Sequence, residues 1–521
     1  MQADQGRVIR AGELTRRRLL QSAGAAGGLL LGGGRPRAQA DDAIVTPPDG
    51  GKFSNVELTY FQDSGWLHAP LWLSPLFMKD AGVGIKSRQQ YDGAAALDQL
   101  LPELLAPQPH CDWLQYPCPF FGAFAETGEL EPLDEYFLRY PSARDYLDWV
   151  MPSYGEFYTK WNGKTYGVML DGDVHVLHYR KSRFADPDLQ KKYSARFQRE
   201  LLPPKTWPEF VDCVQFFTEE LSNEGIYGAS IVSDPPVLAW GVWMSIAAGS
   251  GVNYFDAGMT PTINTPAAVA ALDMLKQIAK FGPPGKEAMS VTQAVQRWQS
   301  GSDVMAIWWM DLAKSTAQLQ GPDRAEDQGA DILPGWKQAD GTVAHRSVTG
   351  WCRAASIPKN APQPMKDAAF YFIYRMSHPQ VSNHIVADPY CASKPFGASH
   401  YADASAQLYL KPNPQRDVDN ELWPVNAGIF RNFATARDYL DGGLKNVQVG
   451  YPQLYWEGTT AYAEALGRSI ARAVAGELTS QQALDEAAEA WIKIVQKLGI
   501  EKQKSQYANF LQSARKLGHQ I

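Results

Sequence analysis

Residues 166–181, YGVMLDGDVHVLHYRK, contain the side chains most suited to chemistry. The apolar residues around them predict a single β-strand, in which alternate side chains share one face. Asp171, Asp173 and His175 would then form a row. Such a row could bind a metal ion, act as an acid/base pair, or form hydrogen bonds with a polar ligand.

The metal alternative has limited support. Zn²⁺ or Mn²⁺ accepts the side chains of Asp171, Asp173, His175 and the nearby His178. However, His178 would lie on the opposite strand face, and no second His/Cys cluster is near in sequence. A buried strand histidine is therefore the preferred interpretation of His175, and we predict neither a metal nor a cofactor.

Hydrolysis is the second alternative. Glycoside hydrolases need two carboxylates roughly 5–9 Å apart. Asp171 and Asp173 on one strand face would be about 7 Å apart. No glutamate has a comparable aromatic setting, and the chain lacks a nucleophile elbow, a phosphate-binding loop and a dinucleotide fingerprint. We therefore expect a binding protein and not an enzyme.

The N-terminus predicts export. An arginine cluster at residues 16–18 precedes a Gly/Ala-rich apolar run and the sequence Ala-Gln-Ala, which ends at Ala40. This order is typical of a twin-arginine signal peptide over residues 1–40. The apolar run is shorter than the ~20 residues that a spanning helix needs. A linker at 41–53 would follow, and the mature chain is predicted to be soluble and periplasmic.

Charge and size restrict the partners. Removing residues 1–40 changes 49 basic and 56 acidic residues to 42 and 54, a net charge of −12. Such a chain is poorly suited to bind nucleic acid. The roughly 480 remaining residues exceed what one hydrophobic core usually serves, so two or three domains are expected.

The five cysteines follow no metal or redox motif. An exported protein permits one or two disulfides, and an odd count leaves at least one thiol. The sequence does not define a pairing. We interpret most of these cysteines as small buried residues.

Aromatic residues are abundant, with 16 Trp, 23 Tyr and 21 Phe. Many follow predicted strands, as in MAIWWMDL and VTGWCRA. An aromatic ring offers a flat apolar face with a polar edge, which suits the C–H face of a sugar ring. Core packing explains most single members, but the clustering at strand ends favours a carbohydrate site.

The coarse pattern of elements is strand, helix, strand, helix. Residues 55–63 and 111–116 alternate as strands do, and 95–106 has helical spacing. Thr206 and Thr265 precede a proline and an apolar helical pattern, so each is a predicted N-cap. This alternation indicates an α/β fold with parallel strands.

Seven stretches resemble, in order, the extracellular solute-binding proteins of family 1, the carbohydrate receptors of ABC importers. They are DWLQYPCPFFGAFAETGELEPLDEYF, YGVMLDGDVHVLHYRKSRFADP, PPKTWPEF, PTINTPAAVAAL, GSDVMAIWWMDL, TGWCRAASIPKNAP and RAVAGELTSQQALDEA. The resemblance covers about 55–495. The chain departs from it in its length around 400–440, in VTGWC, and in its twin-arginine signal.

The resemblance implies a type II periplasmic-binding-protein fold, in which two α/β lobes enclose the ligand. Lobe one would hold 54–169 plus 346–435, and lobe two 170–345 plus 436–521. Residues 170–172 would form a hinge strand, where Gly172 permits unusual backbone angles. Hinge closure would bury the ligand.

The resemblance also implies the ligand-binding residues. Asp173 matches the carboxylate that accepts sugar hydroxyls, with Asp171 as the alternative. The remaining candidates are Gln62, Asp63, Tyr116, Phe120, Trp308, Trp309, Asp311, Gly350, Trp351 and Tyr455. The expected ligand is a carbohydrate. A polyol or a glycerol phosphate remains open, the latter because Arg346 and Arg353 flank Trp351. An ABC permease is the implied partner, and the protein is expected to be a monomer.

Overall fold

The computed structural model describes residues 52–63, 69–91, 95–140, 143–411 and 428–517. The predicted signal peptide at 1–40 and the linker up to residue 51 lie outside the described residues. Much of the segment at 400–440, where the chain departs in length, also lies outside them, at 412–427.

The larger sheet has five strands in the order β2-β1-β3-β14-β6. The first three are parallel, and β14 is antiparallel to both of its neighbours. This arrangement confirms the predicted strands at 55–63 and 111–116, but β2 was not predicted. The five strands are β1 (Val56–Asp63), β2 (Val83–Tyr91), β3 (Trp113–Pro117), β6 (Val168–Asp171) and β14 (Arg353–Ser356).

The smaller sheet has four strands in the order β10-β7-β9-β8. Here β7 is antiparallel to β10 and β9, and β8 is parallel to β9. These strands are β7 (His175–Arg180), β8 (Tyr227–Ala229), β9 (Asp303–Trp309) and β10 (Gln328–Asp331). The two-stranded pairs are β4 (Lys160–Trp161) with β5 (Lys164–Thr165), β11 (Trp336–Lys337) with β12 (Val343–Ala344), and β13 (Ser347–Thr349) with β15 (Gly450–Pro452).

Helices connect the strands and cover the sheets, as the α/β pattern predicts. A seven-residue π-helix spans Val237–Trp243. The α-helices of the described residues are α1 (Ala69–Ala81), α2 (Ala96–Leu104), α3 (Phe121–Ala125), α4 (Asp134–Arg139), α5 (Tyr146–Trp149), α6 (Pro152–Tyr158), α7 (Lys181–Phe184), α8 (Pro187–Phe197), α9 (Trp207–Leu221), α10 (Met244–Ala247), α11 (Pro266–Lys280), α12 (Val291–Ser300), α13 (Leu312–Gln320), α14 (Pro322–Ala325), α15 (Gln363–Ser377), α16 (Pro379–Ala387), α17 (Asp403–Leu408), α18 (Phe433–Gln448), α19 (Thr459–Val474), α20 (Ser480–Leu498) and α21 (Ile500–Lys516). No helix of these is both long and apolar enough to cross a membrane.

The predicted N-caps are confirmed. Thr206 accepts a hydrogen bond from the backbone N–H of Glu209, whose side chain bonds back to Thr206 and completes a capping box. Thr265 caps α11 through the N–H of Ala268. The chain after residue 360 forms two helices, α15 and α16, because Pro379 interrupts the helical hydrogen bonds.

The prediction of a single strand over 166–181 is wrong. Strand β6 ends at Asp171 in the larger sheet, and β7 begins at His175 in the smaller sheet. Residues 172–174, which we call the crossover, join the two sheets. Asp171 and His175 therefore belong to different sheets and do not form a row with Asp173.

Two further segments pass beside the crossover. Val174 forms an isolated bridge with Thr349, the last residue of β13, and β13 pairs with β15. Three segments therefore lie side by side, and two of them, the crossover and the segment that carries β13, connect the sheets. The proposed lobe boundaries at 169/170, 345/346 and 435/436 stay a prediction.

Gly172 is needed because another segment approaches it closely. A Cβ at this position would lie 2.3 Å from the carbonyl oxygen of Pro395 and 2.9 Å from the Cα of Phe396. The φ angle of Gly172 is not positive, so the expected role of unusual backbone angles is wrong. Steric fit against residues 394–396 is the physical reason for glycine.

We predict that Gly172→Ala lowers the free energy of unfolding by about 1–3 kcal/mol, because the added methyl group overlaps backbone atoms that cannot rotate away. The measurement is urea denaturation followed by circular dichroism. Gly155→Ala in α6 is the control, since its Cβ would have no neighbour nearer than 3.4 Å and alanine favours a helix. Equal stability of the two variants would contradict the close approach.

Candidate ligand site at the crossover

A buried lysine binds the two aspartates of the crossover region. The Lys394 ammonium lies 3.0 Å from Asp173 Oδ1 and 3.4 Å from Asp171 Oδ2. The backbone N–H of Lys394 also donates to Asp171 Oδ1 at 2.6 Å. All three side chains are at least 96% buried. Asp171 and Asp173 therefore join the crossover to the segment that carries Lys394.

The electrostatics of this cluster follow from its burial. Burial raises the pKa of both Asp171 and Asp173, and the positive charge of Lys394 only partly offsets this effect. Burial alone would lower the pKa of Lys394, but its two aspartates outweigh that effect and raise it. Lys394 is consequently charged at neutral pH.

A second buried lysine supports the same segment. The Lys314 ammonium donates to the carbonyl oxygens of Cys391 and Ser393, both at 2.6 Å. Burial lowers the pKa of Lys314 to about 8. The segment 391–394 is thus held from α13 on one side and from the crossover on the other.

The end of β1 makes a separate ion pair. Arg353 donates to Asp63 Oδ2 at 2.6 Å, and both side chains are largely buried. Burial would lower the pKa of Arg353, but Asp63 reverses this effect and raises it. Arg353 also donates to the carbonyl oxygen of Trp351. Asp63 therefore fixes the arginine that positions the Trp351 backbone.

Trp351 has an unusual backbone conformation. Its φ angle is +60°, which is uncommon for a residue other than glycine and costs about 1–3 kcal/mol. The strand that follows, β14, begins at Arg353. A Cβ on Gly350 would lie 2.1 Å from Gln453 Oε1, so the approach of the Gln453 side chain favours glycine at this position.

The Trp351 side chain is half-buried. Its ring meets that of Phe120 edge-on, with centroids 6.4 Å apart. Its indole N–H is buried and has no hydrogen-bond partner among the described residues. A buried donor without a partner costs about 1–3 kcal/mol, so this group is available to an acceptor that a ligand would supply.

The smaller sheet presents a second aromatic group. Trp309 pairs with His175 across β9 and β7, and their ring centroids are 4.8 Å apart. Trp308 is buried in an apolar cluster with Val232 and Trp298. Trp309 is half-buried and packs against the same cluster, with its ring edge-on to that of Trp308 at a centroid distance of 5.1 Å.

Asp311 follows β9 and precedes α13. Its Oδ1 atom is buried and accepts no hydrogen bond from the described residues. Asp311 occupies the N-cap position of α13, but its side chain makes no capping hydrogen bond. Asp311 is close enough to Lys394 and Asp173 to affect the pKa of each. Among the described residues, this oxygen is therefore an acceptor that a hydroxyl group could use.

The other predicted ligand contacts lie in the packed interior. Gln62 is 1% exposed. Tyr116 is fully buried, and its hydroxyl donates to the Tyr158 carbonyl at 3.2 Å. Tyr455 packs against Phe510, with ring centroids 6.1 Å apart. Ligand contact by these residues stays a prediction, as it does for the remaining candidates.

The histidines have internal partners. His175 bonds through Nδ1 to the Gly241 carbonyl at 2.6 Å, and His178 bonds through Nε2 to the Trp309 carbonyl at 2.9 Å. Burial lowers the pKa of both to about 4. His175 is thus the buried strand histidine that the sequence favoured. Within the described ranges, no three His, Cys, Asp or Glu side chains are grouped to hold a metal.

Sequence reasoning missed Lys394 and Lys314. Both lie in polar-looking contexts, SKPFG and LAKST, which are typical of exposed lysines. Lysine is almost never fully buried without a charged or carbonyl partner. The sequence gives a local indication of burial only at Lys394. This lysine directly precedes Pro395 in a short stretch that contains no other charged residue.

Two α/β units joined by neighbouring crossing segments, with aromatic and carboxylate groups where they meet, define a two-lobed binding protein. Residues 76–390 match the family model described as bacterial extracellular solute-binding protein. The chain therefore belongs to this family of extracellular solute-binding proteins.

Similar proteins agree with this assignment. A probable amino-acid ABC transporter periplasmic-binding protein, y4oP, from Sinorhizobium fredii is 24% identical over 231 residues, 43% of this chain. The match spans 47% of that relative, about half of its length.

Two solved structures share the fold. A solute-binding protein of Agrobacterium radiobacter K84 in complex with ribitol has a TM-score of 0.62 and 20% identity, covering 85% of this chain and 98% of that one. Maltose-bound MalE3 of T. maritima has a TM-score of 0.63 and 18% identity, covering 84% and 99%. At these identities the likeness establishes the two-lobed fold.

We predict that Lys394→Met lowers the free energy of unfolding by about 3–5 kcal/mol at pH 7, because it leaves two buried carboxylates without their ammonium. Lys445→Met is the control, since Lys445 binds Asp331 at the surface and is 53% exposed. Denaturation curves measure both variants. A loss as small as that of the control would contradict a structural role for Lys394.

The pH dependence provides a separate check on Lys394→Met. Burial already raises the pKa of Asp171 and Asp173, so proton uptake below neutral pH favours the folded state of the variant. We expect its deficit relative to the unaltered protein to shrink between pH 7 and pH 5. A deficit that grows on acidification would contradict two unpaired carboxylates.

Proposed function

We propose that the protein captures a carbohydrate or a polyol between its lobes and delivers it to the permease of an ABC importer. Trp351 carries this proposal. Its half-buried ring, its strained backbone and its unpartnered indole N–H lie beside the connections between the sheets. Strained residues in binding proteins are often maintained for contact with a ligand.

The charges favour an uncharged ligand over a glycerol phosphate. Arg353 is engaged by Asp63, and Lys394 by Asp171 and Asp173. Asp311 adds a carboxylate oxygen without a partner in the described part of the chain, which would repel a phosphate. A ligand rich in hydroxyl groups can donate to Asp311 and accept from the Trp351 indole.

The rest of the proposal follows from the family. An extracellular solute-binding protein acts outside the cytoplasm, and the predicted signal peptide places this one in the periplasm. The protein binds without catalysis and works as a monomer with a membrane permease as its partner. The ribitol and maltose bound by the two similar structures support the ligand class.

The first test is isothermal calorimetry of the purified protein against monosaccharides, oligosaccharides, polyols, glycerol phosphates and amino acids, with and without EDTA. We expect a one-to-one isotherm in the micromolar range or tighter with one sugar or polyol, unchanged by EDTA. Binding of an amino acid or a phosphate instead would overturn the ligand class. Heat that EDTA removes would restore the metal alternative.

We predict that Trp351→Ala weakens binding of that ligand at least about 30-fold, because it removes a ring that would stack on the ligand. Calorimetry measures the affinity, and thermal unfolding should change by no more than about 3 °C. Trp336→Ala is the control, because the Trp336 indole donates to the Ile246 carbonyl at 2.6 Å within the smaller-sheet unit. The control should lose stability and keep its affinity.

The opposite pattern, in which Trp351→Ala unfolds the protein and Trp336→Ala abolishes binding, would place the ligand elsewhere.

We predict that Asp311→Asn weakens binding about 10- to 100-fold, since hydrogen bonds to a charged acceptor contribute about 1.5–3 kcal/mol. Asp323→Asn in the next helix, α14, is the control, because the Asp323 side chain is 81% exposed and pairs with Arg431. Titration calorimetry on both variants gives the affinities. Unchanged affinity in Asp311→Asn would remove Asp311 from the site.

A further inference from the structure

Cys118 and Cys352 lie opposite each other. Strand β3 ends directly before Cys118, and β14 begins directly after Cys352. The antiparallel register pairs Pro117 with Arg353, so the next pair is Cys118 with Cys352. The backbone N–H of Cys118 donates to the Cys352 carbonyl at 2.9 Å. The two thiols are close enough for each to affect the pKa of the other.

This arrangement meets the main geometric requirement of a disulfide. Directly opposed residues of an antiparallel pair have Cα atoms about 4.5–5.5 Å apart, and disulfides join Cα atoms about 4.4–6.8 Å apart. Both cysteines are fully buried and are free thiols in this structure.

We propose that Cys118 and Cys352 form a disulfide in the exported protein. Each thiol loses its proton and the pair loses two electrons, which pass to a disulfide of a thiol oxidant outside the cytoplasm. That oxidant becomes a dithiol as the Cys118–Cys352 bond forms. Because the folded protein buries both sulfurs, the exchange requires an opening of β14 from β3 that exposes them.

The Cys118–Cys352 disulfide would close a long loop of the chain. Residues 119–351 contain every strand of the smaller sheet. A disulfide that closes a long loop stabilises mainly by restricting the unfolded chain. The bond would also anchor Phe120 and Trp351, each within two residues of a bonded cysteine, whose rings contact each other. The proposal concerns covalent structure and does not depend on the ligand.

The other cysteines have different surroundings. Cys213 lies 3.6 Å from the Tyr193 hydroxyl. Cys391 offers its carbonyl to Lys314, and Cys111 precedes β3 at its opposite end. These three residues serve as internal references for thiol reactivity.

The test refolds the full protein in a glutathione buffer at the redox potential of the exported compartment. Free thiols are then alkylated in denaturant, and the protein is digested without a reductant for mass spectrometry. We expect one cross-linked peptide pair joining Cys118 to Cys352, lighter than the separate peptides by two hydrogen atoms. Alkylation is expected at Cys111, Cys213 and Cys391. Alkylation at all five cysteines, or a different pairing, would overturn the proposal.

Variants provide a second readout. Cys118→Ser and Cys352→Ser should each melt at least about 3 °C below the oxidised protein. The double variant should melt no lower than the less stable single variant, because one bond is lost in all three. A reductant present throughout refolding should remove most of the difference, while Cys213→Ser as the control should respond equally with and without it. If the losses in melting temperature of the two single variants add up in the double variant and persist in the reductant, the two thiols form no bond and only pack against their neighbours.

Discussion

The contact between the Lys394 ammonium and the carboxylates of Asp171 and Asp173 is the interaction on which the rest of this structure depends. Two carboxylates so close together in a dry interior repel each other, and removing them from water costs several kcal/mol each. A single ammonium between them makes the arrangement possible. Since Asp171 ends a strand of the larger sheet and Asp173 lies in the crossover, the ammonium joins the end of that sheet to the crossover.

The same cluster determines what the neighbouring surface can bind. The cations near the crossover are already engaged, Arg353 by Asp63 and Lys314 by two carbonyl oxygens. Among the described residues, the indole N–H of Trp351 and a carboxylate oxygen of Asp311 are two groups that a ligand could use. An aromatic face with one donor and one acceptor suits a neutral molecule with hydroxyl groups. The buried ion pairs thus favour a sugar or polyol although they need not touch it.

The sequence predicted local structure better than long-range contacts. The N-cap at Thr206 could be predicted because it depends on neighbouring residues. The order of the motifs along the chain identified the family. The division of 166–181 into two strands could not be predicted, because an apolar strand pattern continues across the crossover. The contact of Lys394 with Asp171 joins residues that are 223 positions apart, and no local pattern indicates it. The backbone of Trp351 likewise results from Arg353 and the packing around it.

The most direct test of this account is a crystal structure of the protein with the sugar or polyol that calorimetry identifies. The account predicts ligand density against the Trp351 ring, with a ligand hydroxyl within hydrogen-bond distance of Asp311 and the Lys394 ion pairs intact. Density at a site remote from the crossover, with the Trp351 indole still unpartnered, would contradict it.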